Sequence, residues 1–135
     1  MSPLCLVVAG VVRATIPDSE ITLSWEHSVE HIRWEEHYRL AGDALVLTRA
    51  RVRGMGAGME PAPGSVLRNG WWTWEPDSRF PALRLTHSSY AGDYTLCWRG
   101  ACRTLGALVG TTREGEAVEV RGCAQPLATP SARAR

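Results

Sequence analysis

Apolar and polar residues alternate with period two over most of the chain, the mark of half-buried strands, and helical periodicity is weak. In Ile21-Thr22-Leu23-Ser24-Trp25 the odd positions are apolar and the even ones polar. Ile32, Trp34, Tyr38 and Leu40 share one face of the next segment, with Arg33, Glu35, His37 and Arg39 opposite. Gly42-Asp43 turns the chain. Ala44, Val46, Ala50 and Val52 then line an apolar face whose reverse ends in Arg49, Arg51 and Arg53. The Gly- and Pro-rich run over residues 54–64 breaks any regular element. Beyond it, Asn69-Gly70 signals a type I′ turn between Ser65–Arg68 and Trp71–Trp74. Leu83 with Leu85, and Tyr94 with Leu96 and Trp98, begin further short strands, and Val118 with Val120 marks a last one. This pattern predicts an all-β fold, a single antiparallel β-sandwich or small β-barrel with short hairpins.

The apolar stretch Leu4–Val12 reads as a first buried strand. It has the length of a signal-peptide core, but Met1-Ser2-Pro3 carries no side-chain cation and no small-x-small cleavage site stands out. Residues 1–123 are expected to form one β domain, since 135 residues do not divide into two adequate cores. Residues 124–135 hold little that could pack and read as a loose C-terminal tail. No apolar run reaches the roughly 18 residues of a membrane span, so no transmembrane segment is expected.

Charge changes the picture little as a whole. The net charge is +1, which gives no general pull towards nucleic acid, although Arg49, Arg51 and Arg53 form a local cationic stripe. All 15 cationic residues are Arg, leaving no lysine for Schiff-base or P-loop chemistry. Cysteine placement says more. Arg99-Gly100 suits a two-residue hairpin turn, in which Cys97 and Cys102 form the non-hydrogen-bonded pair one step from the turn. Their Cβ atoms then lie within a disulfide's span, with two reduced thiols as the alternative. Whether Cys5 and Cys123 pair is left open.

Candidate chemistry concentrates in residues 25–38, which carry His27, His31 and His37 among several Glu. On one extended strand His27 and His31 lie about 13 Å apart, too far for one metal. Glu35 and His37 share a face, yet two ligands fall short of the three or four of a zinc site, and Arg51 or Arg53 offers Glu35 a cross-strand partner. Adjacent His27 and Ser28 point to opposite faces and make no base–nucleophile pair, and no G-x-S-x-G elbow occurs. Gly54, Gly56 and Gly58 alternate without matching a phosphate-binding motif. Such glycines let backbone N–H groups approach a small anion, or simply permit a strand exit at positive φ. Trp72 and Trp74 fall on one sheet face, as core or interface.

Trp25-Glu26-His27-Ser28-Val29-Glu30, Trp34-Glu35-Glu36 and Gly56-Ala57-Gly58-Met59-Glu60-Pro61 together resemble a bacterial family known as domain of unknown function 1850. Asn69-Gly70-Trp71-Trp72 and Leu96-Cys97-Trp98-Arg99-Gly100-Ala101-Cys102-Arg103 are similar to one branch of it. The resemblance implies association with tripartite (TRAP-type) solute transporters of the TAXI class, and brings no biochemical activity. Some relatives carry a membrane anchor and an outward-facing domain; no such anchor is read in this sequence. The family's signature positions fall here on His27, Ser28, Glu35, Gly56 and Gly58, which become the ligand-binding candidates.

The expected function is therefore a non-enzymatic accessory or small-solute-binding module. Its expected partners are a TRAP-type transporter subunit and a small-molecule ligand, with no nucleic acid, cofactor, metal or catalytic residue assigned. The alternative is a small metal-dependent or hydrolytic enzyme using His27, Glu35 and His37. Family and cysteines favour a periplasmic or extracytoplasmic location, and the missing signal-peptide features favour a cytoplasmic one.

Overall fold

The computed structural model describes residues 2–26, 32–53, 63–86 and 93–124 and the backbone of 133–134. Its strands form two sheets, and the all-β expectation holds. The larger, eight-stranded sheet runs β11 (Ala101–Thr104), β10 (Thr95–Trp98), β3 (Glu20–Glu26), β4 (Arg33–Ala41), β5 (Ala44–Arg53), β7 (Trp71–Trp74) and β6 (Val66–Arg68). β8 (Ser78–Phe80) shares the outer side of β5 with β7. The smaller, five-stranded sheet runs β13 (Arg133–Ala134), β9 (Leu83–Thr86), β12 (Ala117–Gly122), β1 (Leu4–Val8) and β2 (Val11–Ile16). Pairing is antiparallel throughout except between β13 and β9.

Both sheets contribute to one core. Leu4, Leu6 and Val8 of β1 and Val118 and Val120 of β12 pack with Ile21, Leu23, Tyr38, Leu45, Leu47 and Leu96 of the larger sheet. All five residues of β1 are buried, because the strand lies between β12 and β2. The apolar run Leu4–Val12 is thus a buried strand only to Val8. Ala9 and Gly10 then turn with positive φ, and Val11 and Val12 open an exposed edge strand.

Turn chemistry behaves as expected. Asn69-Gly70 and Arg99-Gly100 both adopt positive φ at both positions, the type I′ requirement, with Gly supplying the second residue. The β10–β11 register sets Cys97 opposite Cys102, and the two form a disulfide. Cys5 and Cys123 form a second one, tying β1 to the end of β12. A short helix not signalled by periodicity, α1 (Leu105–Val109), follows β11. Thr104 caps it by accepting from Ala107 N–H, and Leu105 and Val109, one turn apart, face the core.

One expectation is corrected on β5. Ala44, Val46, Ala50 and Val52 do not share a face. His37 pairs with Arg49, but its neighbour Tyr38 pairs with Leu47, so Thr48 is an extra residue in a β-bulge. Leu45 and Leu47 face inward before the bulge, and Ala50 and Val52 after it; Val46 lies on the opposite face, between Arg39 and Arg79. Val118 and Val120 mark β12, which is followed by β13. Of the segment 124–135, residues 125–132 and 135 lie outside the described residues.

The two disulfides close loops of very different length, with separations of 118 and 5 residues. Chain-entropy arithmetic gives about 5 kcal/mol for the long closure and about 2 kcal/mol for the short one. Urea unfolding should therefore show Cys5→Ser/Cys123→Ser losing clearly more stability than Cys97→Ser/Cys102→Ser. Equal losses would contradict this.

Candidate functional site

The central strand β4 displays two unlike surfaces. Outward it presents Arg33, Glu35, His37 and Arg39; inward it presents Trp34, Glu36, Tyr38 and Leu40. On the outer face Glu35 stands between Ser24 of β3 and Arg51 of β5. Arg51 Nε and Nη2 donate to Glu35 Oε1 at 3.0 and 2.9 Å. The same guanidinium lies 4.0 Å above the Trp71 ring. The cross-strand partner expected for Glu35 is thus Arg51. His37 turns to β3 instead, with Nδ1 3.1 Å from Thr22 Oγ1 and Nε2 3.3 Å from Glu20 Oε1. Glu35 and His37 share a face, as period two requires, but each is held by its own partner. Among the described residues no group of three His, Cys, Asp or Glu is placed to hold a metal ion.

His27, Ser28, Gly56 and Gly58 lie outside the described residues, as does His31. The strands that lead into them are described. Glu26 ends β3 opposite Arg33, which begins β4, and Trp34 lies opposite Val52 near the end of β5. The segments carrying His27-Ser28 and Gly56–Gly58 therefore both leave from one end of the larger sheet. Glu35 lies at that end, on its outer face.

The inner face at this end is aromatic. Trp25 and Trp34 are direct cross-strand partners, stacked with centroids 6.1 Å apart and planes within 4°. Trp74 meets Trp34 edge-on at 6.4 Å, and Tyr94 tilts against Trp25 at 5.8 Å. All four rings are only half-buried. Next to them lies Glu36, which is buried and accepts a 2.6 Å hydrogen bond from the Tyr38 hydroxyl. Its cross-strand neighbours are Leu23 and Ala50, and Ala50 in turn faces Trp74. A carboxyl group in such apolar company is retained only where polar partners satisfy it.

Glu36 was missed in reading the chain, although the signal was present. It occupies the even position between Trp34 and Tyr38, so strict alternation already assigns it to the apolar face. Glu35 and Glu36 carry the same charge. They differ by orientation.

That difference is measurable in stability. Tyr38→Phe removes a donor from a buried carboxyl and should cost about 2 kcal/mol. Glu35→Ala breaks a partly exposed ion pair and should cost about 0.5 kcal/mol. Denaturant unfolding of both variants checks the ranking, and a larger loss at Glu35 would reverse the assignment.

The family model described as domain of unknown function, DUF1850, matches residues 21–105. That span runs from β3 to the start of α1, so it takes in the aromatic end, both surfaces of β4 and the Cys97–Cys102 hairpin. No curated protein and no solved structure matches the chain. With the match extending over most of its length and over all of the larger sheet but Glu20, the chain belongs to the DUF1850 family.

Proposed function

We propose that this protein is a non-enzymatic binding module, an accessory of TRAP-type transport of the TAXI class. In this reading it takes a small solute or a partner's chain end where the His27-Ser28 and Gly56–Gly58 segments leave the larger sheet. The observation that carries it is the half-buried aromatic group of Trp25, Trp34, Trp74 and Tyr94 beside Glu36. Rings that a core would cover completely are here left with accessible surface at one sheet end, next to a buried carboxyl. Apolar walls with a few placed polar groups are the usual make-up of a small-molecule site. His27 and Ser28 would add a ring nitrogen and a hydroxyl, and Gly56 and Gly58 backbone amides. Glu35 belongs to the site as an ordering element, since it fixes Arg51 from the outer face.

Of the residues of the enzymatic alternative, His27, Glu35 and His37, the two described ones are held by separate partners. Glu35 is engaged by Arg51, and His37 contacts Thr22 and Glu20. Two disulfides favour an oxidising, extracytoplasmic compartment for the module.

Affinity capture from membranes of the native host, followed by thermal shift with carboxylates, amino acids and divalent metals, tests the reading. Recovery of a transporter subunit is expected. A bound carboxylate or amino acid at about a hundred times its Kd should stabilise the fold by about 2.7 kcal/mol. His27→Ala/Glu35→Ala should keep the fold and lose that shift. A divalent-metal shift abolished by Glu35→Gln, with no transporter subunit recovered, would favour the enzyme instead.

A further inference from the structure

The outer face of β5, β7 and β6 carries a second surface, which shares only the Glu35–Arg51 pair with the site proposed above. Arg49, Arg51 and Arg53 project from alternate positions of β5, about 7 Å apart at strand spacing. Trp71 and Thr73 of β7 and Val66 and Arg68 of β6 continue the same face. All of these except Arg53 border an open groove of about 950 Å³, with Asn69 on its border and Glu75 its one carboxylate. Arg51 is pinned between Glu35 and the Trp71 ring, and Arg53 also approaches that ring, at 5.8 Å. Arg49, Arg53 and Arg68 are exposed, and none makes an ion pair among the described residues. Four guanidinium groups thus face the carboxylates of Glu35 and Glu75 on a protein whose net charge is only +1.

The apolar content of this surface identifies its partner. β6 is the last strand of the sheet; its Val66, on this face, is 50% exposed, and Leu67, paired with Trp72 on the opposite face, is 53% exposed at the same edge. An edge combining arginines, Trp and uncovered aliphatic side chains matches the headgroup zone of a bilayer. There phosphates take the guanidinium groups, and the boundary with the acyl chains takes the aliphatic ones. A nucleic acid would use the arginines but leave Val66 in water. Base stacking on Trp71 would also require displacing Arg51 from the ring.

We propose that the β5–β7–β6 outer face docks on an anionic phospholipid bilayer, with Arg49, Arg53 and Arg68 on lipid phosphates and the β6 edge at the acyl boundary. Trp71 and Glu35 hold Arg51 in place as the centre of the cationic stripe. Docking is peripheral and reversible, because attraction to the surface charge falls off within a Debye length.

Co-sedimentation of the full, disulfide-intact chain with vesicles tests this. Binding is expected to equimolar phosphatidylcholine and phosphatidylglycerol, not to phosphatidylcholine alone, and to weaken as salt rises. Arg49→Ala/Arg68→Ala should weaken partitioning about 25-fold, at roughly fivefold for each surface arginine. Val66→Ser should weaken it several-fold with the salt dependence retained. Arg79→Ala, on the same face but outside the groove, should bind as wild type, and circular dichroism should show all variants folded. Absence of binding to the anionic vesicles would overturn the proposal, and so would binding unaffected by Arg49→Ala/Arg68→Ala. Retention of the protein by a single-stranded oligonucleotide or polyglutamate without vesicle binding would overturn it too.

Discussion

Thr48 is an extra residue between two stretches of regular pairing, and the character of both faces of the larger sheet depends on it. Without the bulge, Leu45, Leu47, Arg49 and Arg51 would fall on one face by simple alternation. Two of the four belong in the core and two in water. Inserting one unpaired residue reverses the phase between Leu47 and Arg49. Leu45, Leu47, Ala50 and Val52 then all turn inward, and Arg49, Arg51 and Arg53 all turn out. The Thr48 hydroxyl donates to the His37 carbonyl at 3.2 Å, giving the irregularity a hydrogen bond of its own.

This phase change links the two surfaces. Inward, Ala50 lies opposite Glu36 and beside Trp74, a small side chain in a row that holds a carboxyl group and a large ring. Outward, Arg51 lies opposite Glu35, where its guanidinium reaches both that carboxylate and the Trp71 ring. Glu35 and Glu36 are adjacent in sequence, and β5 supplies each with a different neighbour through a single register. A shift of one position in β5 would set Arg side chains towards the core and leave Glu35 without its cation. Both the aromatic end and the cationic groove are therefore consequences of one pairing decision.

What could be read from the chain was mainly what short-range geometry determines. The Asn69-Gly70 and Arg99-Gly100 turns, and the Cys97–Cys102 disulfide that follows from the second, involve neighbours within one hairpin. The inward strand β1 and the alternation of β3 were legible for the same reason. The Cys5–Cys123 bridge was not, because nothing local brings β1 beside the end of β12. The bulge at Thr48 leaves no composition signal, so simple alternation puts Ala44, Val46, Ala50 and Val52 on one face when they occupy two. Glu36 has the parity of Trp34 and Tyr38, so its orientation was legible, while its charge argues for the solvent face. Of the residues singled out by family resemblance, only Glu35 lies among the described ones, and it stands on the outer face of the sheet end from which the others depart.

Cross-strand nuclear Overhauser contacts between β4 and β5 in solution test the dependence of both surfaces on this register most directly. Contacts pairing Tyr38 with Leu47 and His37 with Arg49, with Thr48 skipped, are expected, together with inward contacts linking Glu36 to Ala50. Continuous pairing through Thr48, with His37 opposite Thr48 and Glu36 opposite Arg49, would contradict that dependence.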